Sequence, residues 1–524
     1  AVEPIVYYLD PGAPEPIRSA LLEGASWWNQ AFEAAGYRDA FQVRLLPEGA
    51  DPMDVRYNVI QWVHRSTRGW SYGSSVVDPR TGEILKGHVS LGSLRVRQDY
   101  LIAEGLLGPY TDGQLPDTML EMSLARIRQL SAHEVGHTLG MEHNFAASVN
   151  DRSSVMDYPF PLIRFDGEGG LDLSDAYGTG IGAWDKRTVL YAYQDFPESL
   201  DEDSERQRII EETLASGLLY VADEDSRDPG NAHPHGNLWD NGKDAMAELE
   251  HLLKVRSVAL ANFGERNIRP GRPLASIEEA LVPIYLLHRF QIQAVGKLIG
   301  GQYFTYGMRG DGQATPVTVG AARQKAASDM LVNTLEPDLL ALPPSLLDSI
   351  PPRPPGHALG RESFSRETGN TFDRLSPAAS AVSLTLDVLM NPQRAARMNA
   401  LHANDPSMPG FSSVLDALAQ SSWFDARQSG INGAIQRIGA NQFLQRLLKL
   451  TGDANAASEL RAQAYLAMQE LDGFLSKQKP ERLDADWAAH YAFARLNIAA
   501  LINDPSRLPP GKAQPTPPGS PIGN

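Results

Sequence analysis

The first 110 residues alternate short apolar runs with one amphipathic stretch. Runs rich in β-branched and aromatic residues predict strands at 4–10, 41–47, 55–63 and 87–96. Apolar residues at helical spacing predict a helix over 16–36, which begins at Pro16 and ends at Gly36. The same periodicity predicts a helix over 123–140 that stops at Gly140. This order of elements predicts a mixed sheet covered by helices.

Helical patterns dominate after about residue 200. The stretch 276–301 predicts a long amphipathic helix, and the isoleucines and leucines between 431 and 448 continue the pattern. The proline-rich stretch 342–360 is the best candidate for a linker. The patterns predict an α+β domain, a helical extension packed on it, a helical C-terminal domain and a disordered proline-rich tail, at 1–200, 201–345, 346–503 and 504–524.

Composition narrows the partners and the chemistry. The net charge is −17, and the chain has no run of Lys or Arg that could override it locally. Both observations argue against a nucleic acid as partner. With no cysteine in the chain, a metal must be bound by His, Asp, Glu or Tyr. No apolar run is long enough to predict a transmembrane segment. The first residues do not resemble a signal peptide, and nothing in the sequence indicates an oligomeric state.

The stretch HEVGHTLGMEH (133–143) carries the strongest chemical pattern in the chain. Residues four apart lie on one face of a helix, so His133 and His137 can both point at one ion. Glu134 stands about 100° around the axis, beside that ion, where a general base would be needed. Gly140 permits the turn that ends the helix, and the returning chain can deliver His143 as a third ligand. Three histidines leave a fourth zinc position open, as in catalytic sites.

A helix that merely carries surface histidines is the alternative interpretation of this stretch. Five positions of the pattern are fixed within eleven residues, which a chance arrangement seldom satisfies. We therefore interpret His133, His137 and His143 as metal ligands.

The histidine motif and the segment on its C-terminal side resemble the metzincin clan of zinc endopeptidases. After HEVGHTLGMEH comes SSVMDYP, in which Met156 stands where that clan has a methionine turn beneath the histidines. Tyr158 matches a tyrosine that reaches the zinc or the oxyanion in some members, although a tyrosine packed under the turn is an equal alternative. More broadly, the chain resembles a large bacterial family of exported zinc-dependent metallopeptidases with a helical C-terminal extension.

The resemblance implies an α+β metzincin-like catalytic domain at 1–200 with one catalytic Zn²⁺. It further implies an endopeptidase that hydrolyses extended polypeptide with a zinc-activated water, Glu134 acting as general base and acid. The segment 87–93 is expected to be the strand that rims the cleft, and 181–193 the closing helix. An exported location in a bacterium is expected on the same ground. Asn144 departs from the Asp, Ser or Glu of better-known groups and leaves the subgroup open.

Two other functions stay open at this stage. One is a binding or scaffold protein that keeps the fold in a latent or silent form, and the other is a zinc hydrolase of a non-peptide amide. The loop 223–242 is dense in Asp, Asn, Gly and His and is interpreted as solvated or lining the cleft. The alternative is that the loop binds a structural calcium ion, although no known calcium-loop spacing matches, or that His233 and His235 reach a metal or a substrate. Cleavage specificity is not readable from the sequence.

Overall fold

The computed structural model describes residues 3–64, 71–110, 117–313 and 315–503. By their contacts the residues form two compact units. The first comprises the described residues of Ala1–Ser226 and His235–Pro270, and the second those of Arg227–Pro234 and Gly271–Gly519. The predicted disordered tail, 504–524, lies outside the described residues.

A five-stranded mixed sheet organises the first unit. Its strands are β1 (Ile5–Leu9), β2 (Phe41–Leu45), β3 (Asn58–Val63), β4 (Tyr72–Val77) and β5 (Ile84–Gly92). Their order across the sheet is β2-β1-β3-β5-β4. The first four in that order run parallel, and β4 pairs antiparallel with β5. An antiparallel strand therefore forms one edge of an otherwise parallel sheet.

Seven helices and a short hairpin complete this unit among the described residues. The helices are α1 (Ile17–Ser26), α2 (Trp28–Ala34), α3 (Leu94–Leu107), α4 (Asp117–Thr138), α5 (Ala183–Tyr193), α6 (Glu202–Ala215) and α7 (Ala245–Ala261). The hairpin strands are β6 (Arg164–Phe165) and β7 (Leu171–Asp172). Short 3₁₀ turns lie at Ala147–Asn150, Asp223–Asp225 and Glu265–Asn267.

Helix α4 is fixed on both sides by buried contacts. Trp28 is fully buried, and its indole Nε1 donates to the carbonyl of Ala132 at 2.7 Å. On the sheet side, the hydroxyls of Tyr7 and Thr138 lie 2.7 Å apart. A β-carbon at Gly24 would lie 2.0 Å from the Arg128 carbonyl oxygen, so α1 packs directly on the backbone of α4. The middle and end of α4 are thus held rigidly over the sheet.

Two predicted elements of this unit have other bounds in the structure, and one strand was missed. The helix predicted over 16–36 is divided at Trp27 into α1 and α2, and the strand predicted over 87–96 ends at Gly92, before α3 begins. Strand β4 was not predicted at all. Its residues, YGSSVV, are mostly exposed and contain glycine and two serines, so they lack the apolar alternation that marks a half-buried strand.

The second unit is mostly helical. Its helices are α8 (Ile277–Tyr285), α9 (Arg289–Gly296), α10 (Ala321–Asn333), α11 (Pro337–Leu340), α12 (Pro344–Ser349), α13 (Ser376–Leu389), α14 (Pro392–Asn404), α15 (Phe411–Ala419), α16 (Gly430–Gly452), α17 (Ser458–Ser476) and α18 (Ala485–Asn503). Short 3₁₀ turns lie at Leu274–Ser276 and Pro480–Arg482, and a π turn lies at Gln420–Phe424. A two-stranded ribbon joins β8 (Gln302–Tyr303) and β9 (Val317–Thr318).

The long helix predicted over 276–301 is wrong in detail. It is divided into α8 and α9, and Pro283 lies inside α8, where it removes a backbone donor. Both helices are buried on almost every side, so the stretch is a core element and not an amphipathic surface helix.

The proline-rich stretch 342–360 packs within the second unit. It contains α12, and Arg353 forms ion pairs with Glu278 and Glu279 of α8. The four-part division of the chain and its boundaries stay a prediction.

The fold class expected from the sequence is confirmed: an α+β unit with a mixed sheet is followed by a mostly helical region. None of the helices in the described part of the chain combines the length and hydrophobicity of a membrane span.

Candidate metal centre

The end of α4 carries His133, Glu134 and His137, and a tight turn reverses the chain behind them. Gly140 adopts φ 86°, in the left-handed region that favours glycine. The amide of Met141 donates to the Gly136 carbonyl at 3.0 Å and closes the helix end. His143 comes two residues later and faces back toward the helix.

The three histidines converge through their Nε2 atoms. Nε2 of His137 lies 3.2 Å from Nε2 of His133 and 3.2 Å from Nε2 of His143. Zinc bound tetrahedrally by imidazoles at about 2.0–2.1 Å requires ligand nitrogens about 3.3–3.4 Å apart. The observed spacing fits that requirement. Among the residues that the structure describes, this is the one group of three or more such side chains arranged to hold a metal ion.

The outer nitrogen of each ring faces an acceptor. Nδ1 of His133 lies 2.7 Å from the Val155 carbonyl, and Nδ1 of His137 lies 2.9 Å from the Met141 carbonyl. Nδ1 of His143 lies 2.8 Å from Oδ2 of Asp223. Because these oxygens only accept, each neutral ring carries its hydrogen on Nδ1 and a lone pair on Nε2. Three lone pairs that converge in this way form a set of donors suited to one cation.

Electrostatics favour the neutral form of His133, the most buried histidine of the cluster. Burial, together with His137 and His143, holds the pKa of His133 well below its ordinary value. A neutral imidazole is the form that binds a metal ion.

Glu134 is placed beside the cluster and not in it. Its side chain is buried, and the backbone N–H of Gly73 on β4 donates to its carboxylate. Burial raises the pKa of Glu134 to about 8, and the positive charge of Arg126 opposes that rise. A cation in the histidine cluster would act in the same direction as Arg126 and lower the pKa of Glu134, because a positive charge favours the carboxylate.

Met156 lies directly under the histidine-bearing turn of α4. A β-carbon at Gly136 would lie 2.3 Å from Sδ of Met156, so the thioether touches the helix backbone between His133 and His137. Asp185, at the start of α5, accepts from the Val155 amide at 2.8 Å and from the Ser154 hydroxyl at 2.5 Å. The turn that carries the methionine is therefore fixed by a buried carboxylate.

Tyr158 lies beside two of the histidines. The centroid of its ring is 4.8 Å from that of His143 and 5.4 Å from that of His133. Its ring also stacks on that of Trp239, with centroids 4.7 Å apart, and the Trp239 amide donates to the Tyr158 carbonyl at 3.0 Å. All six side chains singled out from the sequence are thus brought together at one site.

The strand beside the site is β4, so the assignment of 87–93 to the rim is wrong. Residues 87–92 lie in β5, which pairs with β3 on one side and with β4 on the other. The edge belongs to β4, and a β-carbon at Gly73 would lie 2.0 Å from the Glu134 carbonyl oxygen. The error arose because 87–93 was the last predicted strand before the histidine-bearing helix, whereas the short and mostly exposed edge strand β4 was not predicted.

Two contributors to the site were not predicted from the sequence. Asp223 contacts His143 although it lies 80 residues further along the chain, in the loop interpreted as solvated or cleft-lining. Gly73 stands in a strand that had not been predicted. His233 hydrogen-bonds the Phe304 carbonyl at 3.0 Å within the second unit. The loop 223–242, all of it described, contributes no group of three possible metal ligands.

Comparison with known proteins agrees with this geometry. A family model described as Met-zincin matches residues 116–430, which is more than half of the chain and includes all three histidines, Glu134 and Met156. The chain therefore belongs to the Met-zincin family, and the resemblance to the metzincin clan is confirmed. No curated protein and no solved structure matches the chain.

Proposed function

We propose that the protein is a zinc-dependent endopeptidase that cleaves extended polypeptide. The observation that carries the proposal is the convergence of three Nε2 lone pairs next to a buried glutamate and an edge strand. Nε2 of His137 lies 3.2 Å from Nε2 of both His133 and His143. Membership of the Met-zincin family supports the same class of activity. Neither of the two alternative functions is favoured by a specific contact in the described residues.

His133, His137 and His143 would hold a single zinc ion through Nε2. Zinc bound there supplies Lewis-acid chemistry, which polarises a carbonyl group and makes water a stronger acid. The three acceptors at Nδ1 keep the rings oriented and in the tautomer that presents Nε2. Met156 provides an apolar floor that excludes water from beneath the ligands.

Glu134 moves the proton. Its carboxylate takes a proton from the attacking water and returns it to the leaving amine, so one group acts as base and then as acid. The Gly73 amide holds the carboxylate in place, and burial keeps bulk water from competing for the proton. Tyr158, whose ring lies beside His133 and His143, stabilises the developing oxyanion through its hydroxyl.

The edge strand β4 would bind the substrate backbone. Within the described residues β4 pairs with β5 alone, and Gly73 brings the strand against Glu134. A peptide added to that edge as a further strand would be held extended beside the histidines. This arrangement favours polypeptide over a small amide as substrate. The exported bacterial origin stays a prediction.

The test is to incubate the zinc-loaded protein with a proteome-derived peptide mixture, with and without a peptidic hydroxamate, and to identify new termini by mass spectrometry. We expect internal cuts that the hydroxamate abolishes, because the inhibitor needs both the metal and the peptide-binding edge. A protein that holds one zinc and cuts no peptide, but hydrolyses a small amide, would replace the proposal by the amide-hydrolase alternative. Absence of both activities would support a latent or binding role.

A further inference from the structure

The residue after the third histidine binds a distant segment of the chain. The side-chain amide of Asn144 donates to the Leu219 carbonyl at 2.8 Å, and its oxygen accepts from the Val221 amide at 3.2 Å. The Phe145 amide also donates to the Val221 carbonyl at 3.0 Å. Asn144 is completely buried. Residues 219–221 are therefore fixed alongside the chain that leaves the metal centre.

This segment ends at Asp223, the acceptor for His143. Asp223 begins the 3₁₀ turn Asp223–Asp225, and its Oδ2 lies 2.8 Å from Nδ1 of His143. The side chain of Asp223 is 28% exposed and that of His143 is 12% exposed, so the pair is partly screened from water. His133 and His137 place Nδ1 against backbone carbonyls, whereas His143 places Nδ1 against a carboxylate side chain.

We propose that Asp223 and Asn144 are positioning residues of the metal centre. Asp223 holds His143 in the Nδ1–H tautomer with Nε2 turned toward the other two histidines. Asn144 positions Asp223 because it fixes residues 219–221, which precede Asp223 in the chain. The inference rests on the proposed zinc site and deepens it. A carboxylate partner also makes the ring a stronger donor to a metal than a carbonyl partner does.

The same contacts explain why position 144 is an asparagine and not an aspartate. An amide both donates and accepts, which the Leu219 carbonyl and the Val221 amide together require. An ionised aspartate at this position would set an oxygen against the Leu219 carbonyl and bury a charge. The asparagine that departs from better-known metzincins is thereby explained by the segment it fixes.

The experiment compares Asp223→Ala, Asp223→Asn and Asn144→Asp with the wild-type chain. Glu142→Gln is the matched control, because it removes one negative charge next to His143 from an exposed residue. Zinc affinity is measured by competition with a chromophoric chelator. The tautomer of His143 is measured in the metal-free protein by ¹⁵N NMR of the imidazole nitrogens. Circular dichroism establishes that each variant is folded.

We expect Asp223→Ala to weaken zinc binding about 10- to 100-fold and to mix the two His143 tautomers. Asn144→Asp should weaken zinc binding about tenfold. Asp223→Asn keeps an acceptor oxygen and should weaken it by about three- to tenfold, whereas Glu142→Gln should change it by less than about twofold.

Zinc affinity within about threefold of wild type in a folded Asp223→Ala variant, with His143 still in the Nδ1–H tautomer, would overturn the proposal. If that variant does not fold, unchanged affinity and tautomer in Asp223→Asn overturn it instead. Neither readout uses a substrate, so a failure of the peptidase proposal leaves both unaffected. A wild-type chain that binds no zinc would instead refute the proposed function.

Discussion

Nδ1 of His133 lies 2.7 Å from the carbonyl oxygen of Val155, so the turn that carries Met156 also orients the first histidine. The Val155 amide in turn donates to Asp185 at 2.8 Å. One buried carboxylate on α5 is thereby connected, through a single residue, to the cluster on α4. The methionine turn is both the floor of the site and its scaffold.

Replacing Asp185 should destabilise the first unit. Its carboxylate accepts from the Ser154 hydroxyl and from the amides of Val155 and Gly182, and it is fully buried. In Asp185→Ala all three donors lose their acceptor, so we expect a loss of about 2 kcal/mol in the free energy of unfolding. Urea unfolding measures this loss, with the exposed Glu198→Ala as control. A loss below about 0.5 kcal/mol would contradict the scaffold role of Asp185.

Gly73→Ala should separate the edge strand from the metal centre. The new β-carbon would lie 2.0 Å from the Glu134 carbonyl oxygen and 3.1 Å from Cβ of His137, so β4 must move. We expect a loss of stability of about 1–3 kcal/mol and a fall of at least tenfold in kcat/KM. Ser74→Ala, on the exposed side of the same strand, is the control. Equal kcat/KM in both variants would show that the contact between β4 and Glu134 is dispensable.

Tyr158→Phe removes the hydroxyl and keeps the ring, so it distinguishes the contribution of the one from that of the other. The ring contacts with His143 and Trp239 can persist in the variant, so its stability should change by less than about 1 kcal/mol. If the hydroxyl stabilises the oxyanion, kcat should fall by about 10- to 1000-fold while KM stays within about threefold. Steady-state kinetics on one cleaved peptide measure both constants. An unchanged kcat would assign Tyr158 to packing alone.

The second unit should lose stability in mild acid through His490. Its ring stacks on Trp423 with centroids 4.8 Å apart, and burial, with Arg437, lowers the pKa of His490 to about 4. The unfolded chain therefore binds more protons than the native one between pH 4 and about 6.5, and stability falls as the pH falls through that window. Across this window the free energy of unfolding falls by about 3 kcal/mol in total.

His490→Phe keeps the stack and removes the titration. Its free energy of unfolding should therefore change less between pH 7 and pH 5 than that of the wild-type chain. If the free energy of unfolding depended on pH in the same way in wild type and in His490→Phe, the loss of stability in mild acid could not be assigned to His490.

The clustering of the three histidines could be predicted from the sequence because their geometry is local. Spacing along one helix fixes His133 and His137, and the left-handed Gly140 turn returns His143 within the same short stretch. The glutamate beside them is placed by the same helical geometry.

The rim strand and the acceptor for His143 could not be predicted in this way. Gly73 and Asp223 meet the centre through the tertiary path of segments far apart in sequence. Their own surroundings, a polar edge strand and an acidic loop, carry no periodic signal. The role of Asn144 was likewise hidden, because its partners at 219 and 221 lie in an unpatterned connection.

The central claim is that three histidines hold one catalytic zinc while Glu134 moves the proton. Its most direct test measures bound zinc and peptide cleavage together in the wild-type chain and in Glu134→Gln, which keeps the size of the side chain but cannot act as a base. We predict one zinc per chain in both proteins, and a loss of at least about a thousandfold in kcat in the variant alone. Cleavage at the wild-type rate by zinc-loaded Glu134→Gln would contradict the account.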